Sequence, residues 1–167
     1  MKKQIKSKKM LCFILATILI LLGLPLSATT LPSNNNAAHE KMMLQYLDEL
    51  KSLQNRTFYL SQIALDNPPI DKIALLSNIS NINGELDALN KKVMSSLSAV
   101  PSISQENTEL LLTLNAINLI KNSLYQLTKL SDTTANVDRI LLLEEFFRLR
   151  IDAEETLDAL TSAIENR

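Results

Sequence analysis

The sequence predicts an all-α protein, an up-down-up-down four-helix bundle that follows an N-terminal signal peptide. Three observations carry this. Glycine is nearly absent, with two in 167 residues, and only Gly84 lies beyond the N-terminal segment. Apolar residues recur at alternating steps of three and four through four long stretches, a period that keeps one helix face turned inward. The prolines at 68, 69 and 101 fall between those stretches. A sheet protein of this size needs more turn formers and more β-branched and aromatic side chains than a chain with 4% aromatics contains.

The N-terminus comes first. MKKQIKSKK carries five lysines and no acid, and Leu11 to Leu26 is almost wholly apolar until Gly23 and Pro25 break it. Leu26-Ser27-Ala28 then offers small residues. A basic start, an apolar middle and a small-residue exit constitute a secretory signal peptide, residues 1–28, with cleavage after Ala28. The apolar run is long for such a segment and short of the roughly 20 residues that cross a bilayer, so an uncleaved signal anchor is the alternative. In both cases the basic end stays cytoplasmic and the rest is exported. The expected location is secreted or extracytoplasmic, in the cell envelope, and membrane-anchored if the signal is retained. The lysine-heavy start is of bacterial type.

Cleavage removes five of the 17 basic residues and none of the 18 acidic ones, leaving 12 against 18 and a formal charge of −6. An acidic domain lacks the basic footprint of nucleic-acid binders and docks poorly to anionic lipid. Insertion by amphipathic helices is the weaker membrane-active alternative, since such helices favour a basic polar face. The only cysteine, Cys12, sits inside the apolar run, preceded by Lys8-Lys9-Met10-Leu11 and not by the small residue of a lipoprotein cleavage point. The processed chain then has no thiol for a disulfide framework or a cysteine metal site.

Residues 29–36, TTLPSNNN, read as a flexible polar leader, and 37–167 as the bundle domain. The first helix, about 37–66, has the seam Met43, Tyr46, Leu50, Leu53, Thr57, Leu60, Ala64 and ends at Asn67-Pro68-Pro69, where Asn67 is placed to cap the next helix. The second, about 68–99, has Leu75, Ile79, Ile82, Leu86, Leu89, Val93. Asn83-Gly84 is a turn-favouring pair, yet the seam crosses it in phase, which predicts a continuous helix, straight or kinked there. Val100-Pro101 closes it, and Ser102 or Ser104 caps the third, with Glu106 and Glu109 near its positive end. The third seam is Leu110, Leu114, Ile117, Ile120, Leu124, Leu127, ending near Leu130. After the turn formers 131–136, the last helix, about 137–165, turns Leu142, Phe146, Leu149, Ala153, Leu157, Leu160 and Ile164 inward. Short loops make sequence neighbours antiparallel. A three-helix or coiled-coil arrangement completed by oligomerisation is the runner-up.

Catalytic chemistry is thinly supplied, and the chain is read as no enzyme. His39, the only histidine, is expected to be an exposed residue near a mobile end, without the positioned partner that a general base needs. The Glu-x-x-His pairs of metal-binding bundles do not occur, and one glycine cannot build a phosphate loop. The acidic run Glu144, Glu145, Asp152, Glu154, Glu155, Asp158 is explained by ion pairs spaced four apart, Glu144 with Arg148, Arg148 with Asp152 and Arg150 with Glu154. Two sequons, at Asn55 and Asn78, carry no weight in so asparagine-rich a chain. Metal and cofactor are both expected to be none.

An interaction surface remains. Phe146 and Phe147 are adjacent, about 100° apart on a helix, so only one points straight into the seam and Phe147 is expected at its edge or exposed. With Arg148 and Arg150 beside it, this is the residue mix of interface anchors. Tyr59, with Phe58 and Arg56, repeats the pattern on the first helix. Leu110-Leu111-Leu112 and Leu141-Leu142-Leu143 span more than one face; lateral packing within the bundle is the first expectation for the residues off the seam, and an oligomer interface is the alternative. The expected function is an exported, non-catalytic module for protein–protein interaction or envelope structure, with an unidentified protein or a second copy as partner. No nucleic acid is expected, and membrane contact only through an uncleaved N-terminal segment. A sensor or carrier of a small apolar ligand held between helices is the alternative.

Overall fold

The computed structural model describes residues 34–65 and 71–166, which hold four helices: α1 (Asn34–Ala64), α2 (Lys72–Leu97), α3 (Gln105–Asp132) and α4 (Asn136–Glu165). The described residues contain no strand. The signal-peptide and anchor readings, the leader up to Ser33 and the cap assigned to Asn67 lie outside the described residues. Among the described residues no helix is long and apolar enough to cross a membrane.

The helices form a four-helix bundle. Side-chain links fix its register: Arg56 on α1 meets Glu85 on α2, and Lys92 reaches back to Glu49. Lys121 meets Asp87 between α3 and α2, and Lys72 meets Asp132. Asn115 meets Thr156 between α3 and α4 while Gln105 meets the Ala163 carbonyl. In each pair one number rises as the other falls, so sequence neighbours run antiparallel. α1 packs on α2, α3 and α4, and α3 does likewise with its three neighbours, whereas α2 and α4 do not meet. α1 and α3 therefore hold the short diagonal.

The predicted seams of α1 and α2 are buried without exception. In α3 the seam passes through Thr113 instead of Leu114, which is half-buried; the Thr113 hydroxyl donates to the Glu109 carbonyl, so its burial leaves no bond unmade. Thr57, Ser61, Ser123 and Ser131 are buried the same way, each bonded three or four residues back on its own helix. In α4 Leu142 is half-buried and Arg139, one step earlier on the same seam, is buried.

The starts of α2 and α3 follow capping chemistry. The Asp71 carboxylate accepts from the Ala74 amide at 2.8 Å and starts α2, four residues later than the sequence suggested. Ser104 accepts from the Asn107 amide at 3.1 Å and starts α3, with Glu106 in the first turn. α2 runs unbroken through Gly84, where an added Cβ meets nothing within 4 Å. Gly84→Ala is therefore expected to stabilise the bundle by about 0.5–1 kcal/mol, because alanine loses less backbone entropy in a helix. The check is a higher urea midpoint at constant slope; a lower midpoint would contradict regular helix at this position.

Candidate functional site

α4 is the helix with the most unusual surface, and its N-terminal end explains how it is held. Arg139 is buried where α1 and α3 finish. One guanidinium nitrogen donates to the carbonyls of Leu130 and Thr133 at 2.9 and 3.0 Å, the other to those of Ala64 and Leu65 at 3.1 and 2.9 Å. The last carbonyls of a helix lack intrahelical partners and form the negative end of its dipole. One cation thus caps two helices and fixes the start of a third.

From there α4 turns Phe146, Leu149, Ala153, Leu157, Leu160 and Ile164 into the core. At about 100° per residue, the line Val137, Ile140, Leu141, Glu144, Phe147, Arg148, Ile151 lies on the opposite side. Val137 is 71% exposed, Ile140 63%, Ile151 53% and Phe147 39%, and Leu141 is exposed with them. A surface helix normally carries polar residues on its outer side. The exposed line of α3 is mixed, with Asn115, Asn118, Asn122 and Lys129 between and beside the exposed Leu111 and Tyr125, and α4 itself is polar beyond Ile151, with Glu155 and Asp158. The first four turns of α4 carry large apolar residues on both sides.

The residues singled out from sequence fall in three places. Phe147 and Arg148 lie on this outer stripe. The Phe147 ring leans edge-on against Phe146, centroids 5.2 Å apart, and Phe146 is the one that fills the core. Arg148 pairs with Glu145, at 2.6 and 3.0 Å, and with Asp152 at 3.6 Å; the side chain of Glu144, the expected partner, makes no hydrogen bond or ion pair among the described residues. The Arg148 hydrogen bond holds the Glu145 carboxyl below the ordinary range and raises Arg148.

Arg150 points the other way, toward α1. Its guanidinium stacks 4.4 Å from the centre of the Phe58 ring, and the Gln54 amide donates to its carbonyl at 3.1 Å. The contact with Glu154 is long, 3.9 Å. Tyr59 is 64% exposed on α1 beside a groove of about 340 Å³ shared with α2, lined also by Asn55, Arg56, Ile63 and Asn78. Arg56 closes one wall through two bonds to Glu85, at 2.7 and 2.8 Å, which hold that carboxyl below its usual range. The Tyr59 groove is shared by α1 and α2, and α2 does not meet α4.

His39 departs from expectation. It is a nearly buried residue, its side chain 10% exposed, with Nε2 2.9 Å from the Glu109 carboxylate, itself fully buried. The reason is that α1 begins at Asn34, so His39 is already inside the helix, one turn before Met43 on the same seam. Glu109 likewise does not face solvent near the positive end of α3. The pair ties the parallel helices α1 and α3 together and gives each polar group a partner, as burial requires. Among the described residues no group of three or more His, Cys, Asp or Glu is placed to hold a metal ion.

Compared with protein-family models, with curated proteins and with solved structures, the chain matches none.

Proposed function

We propose that this chain is an exported, non-catalytic interaction module of the cell envelope whose docking face is the outer side of α4 from Val137 to Ile151. One observation carries the reading: a helix whose inner face is already satisfied by the bundle core presents a second apolar line to solvent. Covering an isoleucine side chain contributes about 1.5–3 kcal/mol, so a stripe of four or five such residues is a strong incentive to associate. Arg148 at its centre supplies the cation common at interface anchors. The one histidine of the chain is engaged in a structural contact with Glu109, which favours binding over catalysis. Export follows from the N-terminal signal pattern.

The test is crosslinking in the native cells. The full-length protein, expressed and exported there, is expected to give adducts that disappear in an Ile140→Glu/Ile151→Glu variant whose helical circular dichroism is unchanged. An identical adduct pattern in both proteins would remove α4 from consideration.

A second reading, binding of a small apolar ligand, is favoured by the groove beside Tyr59, whose volume of about 340 Å³ suits a small molecule. A bound compound detected by native mass spectrometry, and lost on Tyr59→Ala, would support it.

A further inference from the structure

The α4 stripe is built to receive a second copy of itself, running antiparallel: we infer that the partner at this face is another molecule of the same chain. This rests on the interaction reading above and names the partner. Three features of the stripe point to it.

First, the stripe has the spacing of a coiled-coil seam. Val137, Ile140, Glu144, Phe147 and Ile151 follow one another at steps of 3, 4, 3 and 4, so the surface that fits it is another helix with the same period. Over these residues the seam is about 21 Å long.

Second, the only two charges on it are of opposite sign and four residues apart, Glu144 and Arg148. A two-fold axis through α4 near residues 145 and 146 reverses one helix against the other. It sets Ile140 and Leu141 against Ile151 of the second copy, and brings each Glu144 beside Phe147 and Arg148 of that copy. Two apolar layers then flank two ion pairs. A parallel pairing sets Glu144 against Glu144, and like charges at one layer oppose association.

Third, Glu144 has no partner within the described residues although Arg148 is one turn away, because Arg148 bonds Glu145 and Asp152 instead. A carboxylate in the middle of a covered apolar stripe needs a counter-charge, and the antiparallel copy supplies one through the Arg148 nitrogen that does not bond Glu145, whose contact with Asp152 is long, 3.6 Å. A single polar residue in an apolar seam also fixes register, since slipping by a turn strands it against isoleucine.

The experiment uses the full-length protein in a Cys12→Ser background, exported and purified. Light scattering is expected to give twice the chain mass. Ile140→Glu/Ile151→Glu is expected to weaken the dimer by about 100-fold or more, the loss of four buried isoleucines per pair. Glu144→Arg and Arg148→Glu each weaken it, and the double swap restores it. Under oxidation Ile140→Cys and Ile151→Cys chains mixed together form an intermolecular disulfide, because the antiparallel register sets these positions opposite each other, and Val137→Cys alone does not, because the axis leaves the two copies of residue 137 about 25 Å apart. A disulfide in Val137→Cys alone overturns the antiparallel arrangement. A monomer at all concentrations overturns self-pairing; if the native crosslinks still depend on Ile140 and Ile151, the interaction reading survives with a different partner. Loss of both results removes both.

Discussion

Replacing Arg139 with methionine is expected to lower the stability of the bundle by about 3 kcal/mol or more. Methionine keeps most of the volume and the apolar stem, so the change isolates the guanidinium. What is lost are four hydrogen bonds from a cation to carbonyls at the ends of α1 and α3. The Leu130 carbonyl also accepts the Thr133 amide, at 3.4 Å, and Arg139 is only 6% exposed, so water does not simply take its place. Arg139→Lys retains the charge at two negative dipole ends but offers one nitrogen where the guanidinium spans two helices, so roughly half of the loss is expected. Urea unfolding followed by circular dichroism measures both, and a fall in Tm of about 10 °C accompanies the methionine variant. A loss below about 1 kcal/mol would show that α1 and α3 end equally well without it.

The apolar periodicity made the bundle legible, and it also explains what stayed hidden. Seams of leucine and isoleucine place α1 and α2 residue by residue because burial of those side chains is what the helices form to achieve. The same reading stops where apolar residues stop. His39 lies four residues before Met43, Arg139 three before Leu142, and Glu109 one before Leu110, so each continues or adjoins a seam at the end of a helix. Continuing the steps of three and four by one more turn finds His39 and Arg139, but nothing in the pattern says that a polar side chain there is buried. That depends on partners 70 to 75 residues away, Glu109 for His39 and the Ala64 and Leu65 carbonyls for Arg139. The outer stripe of α4 was half visible. The excess of apolar residues at Leu141–Leu143 and Phe147 was evident, whereas their alignment with Val137, Ile140 and Ile151 on one side became clear only once the core side was fixed. Arg150 shows the converse: its spacing to Glu154 suggested a solvent-facing pair, and Phe58 on α1 draws it inward.

Adjacent phenylalanines on α4 give the sharpest separation between folding and association. Phe146 is fully buried and the largest such side chain in the core, while Phe147 is 39% exposed on the outer stripe. Phe146→Ala is expected to cost about 3–5 kcal/mol, the transfer energy of the ring plus the cavity it leaves among Leu149 and its neighbours. Phe147→Ala loses only its covered edge and the edge-on contact with Phe146, and is expected to cost about 1 kcal/mol. The order reverses for association. Phe147 stands beside Glu144 of the second copy, so its truncation is expected to weaken the dimer about tenfold or more with little change in Tm. A double-mutant cycle for unfolding at concentrations below dimer formation is expected to show a coupling of about 0.5–1.5 kcal/mol, the edge contact alone. Equal stability losses at the two positions would mean that α4 is rotated from the orientation described, with both rings in the core. The outer stripe, and the pairing built on it, would then have no helix face to stand on.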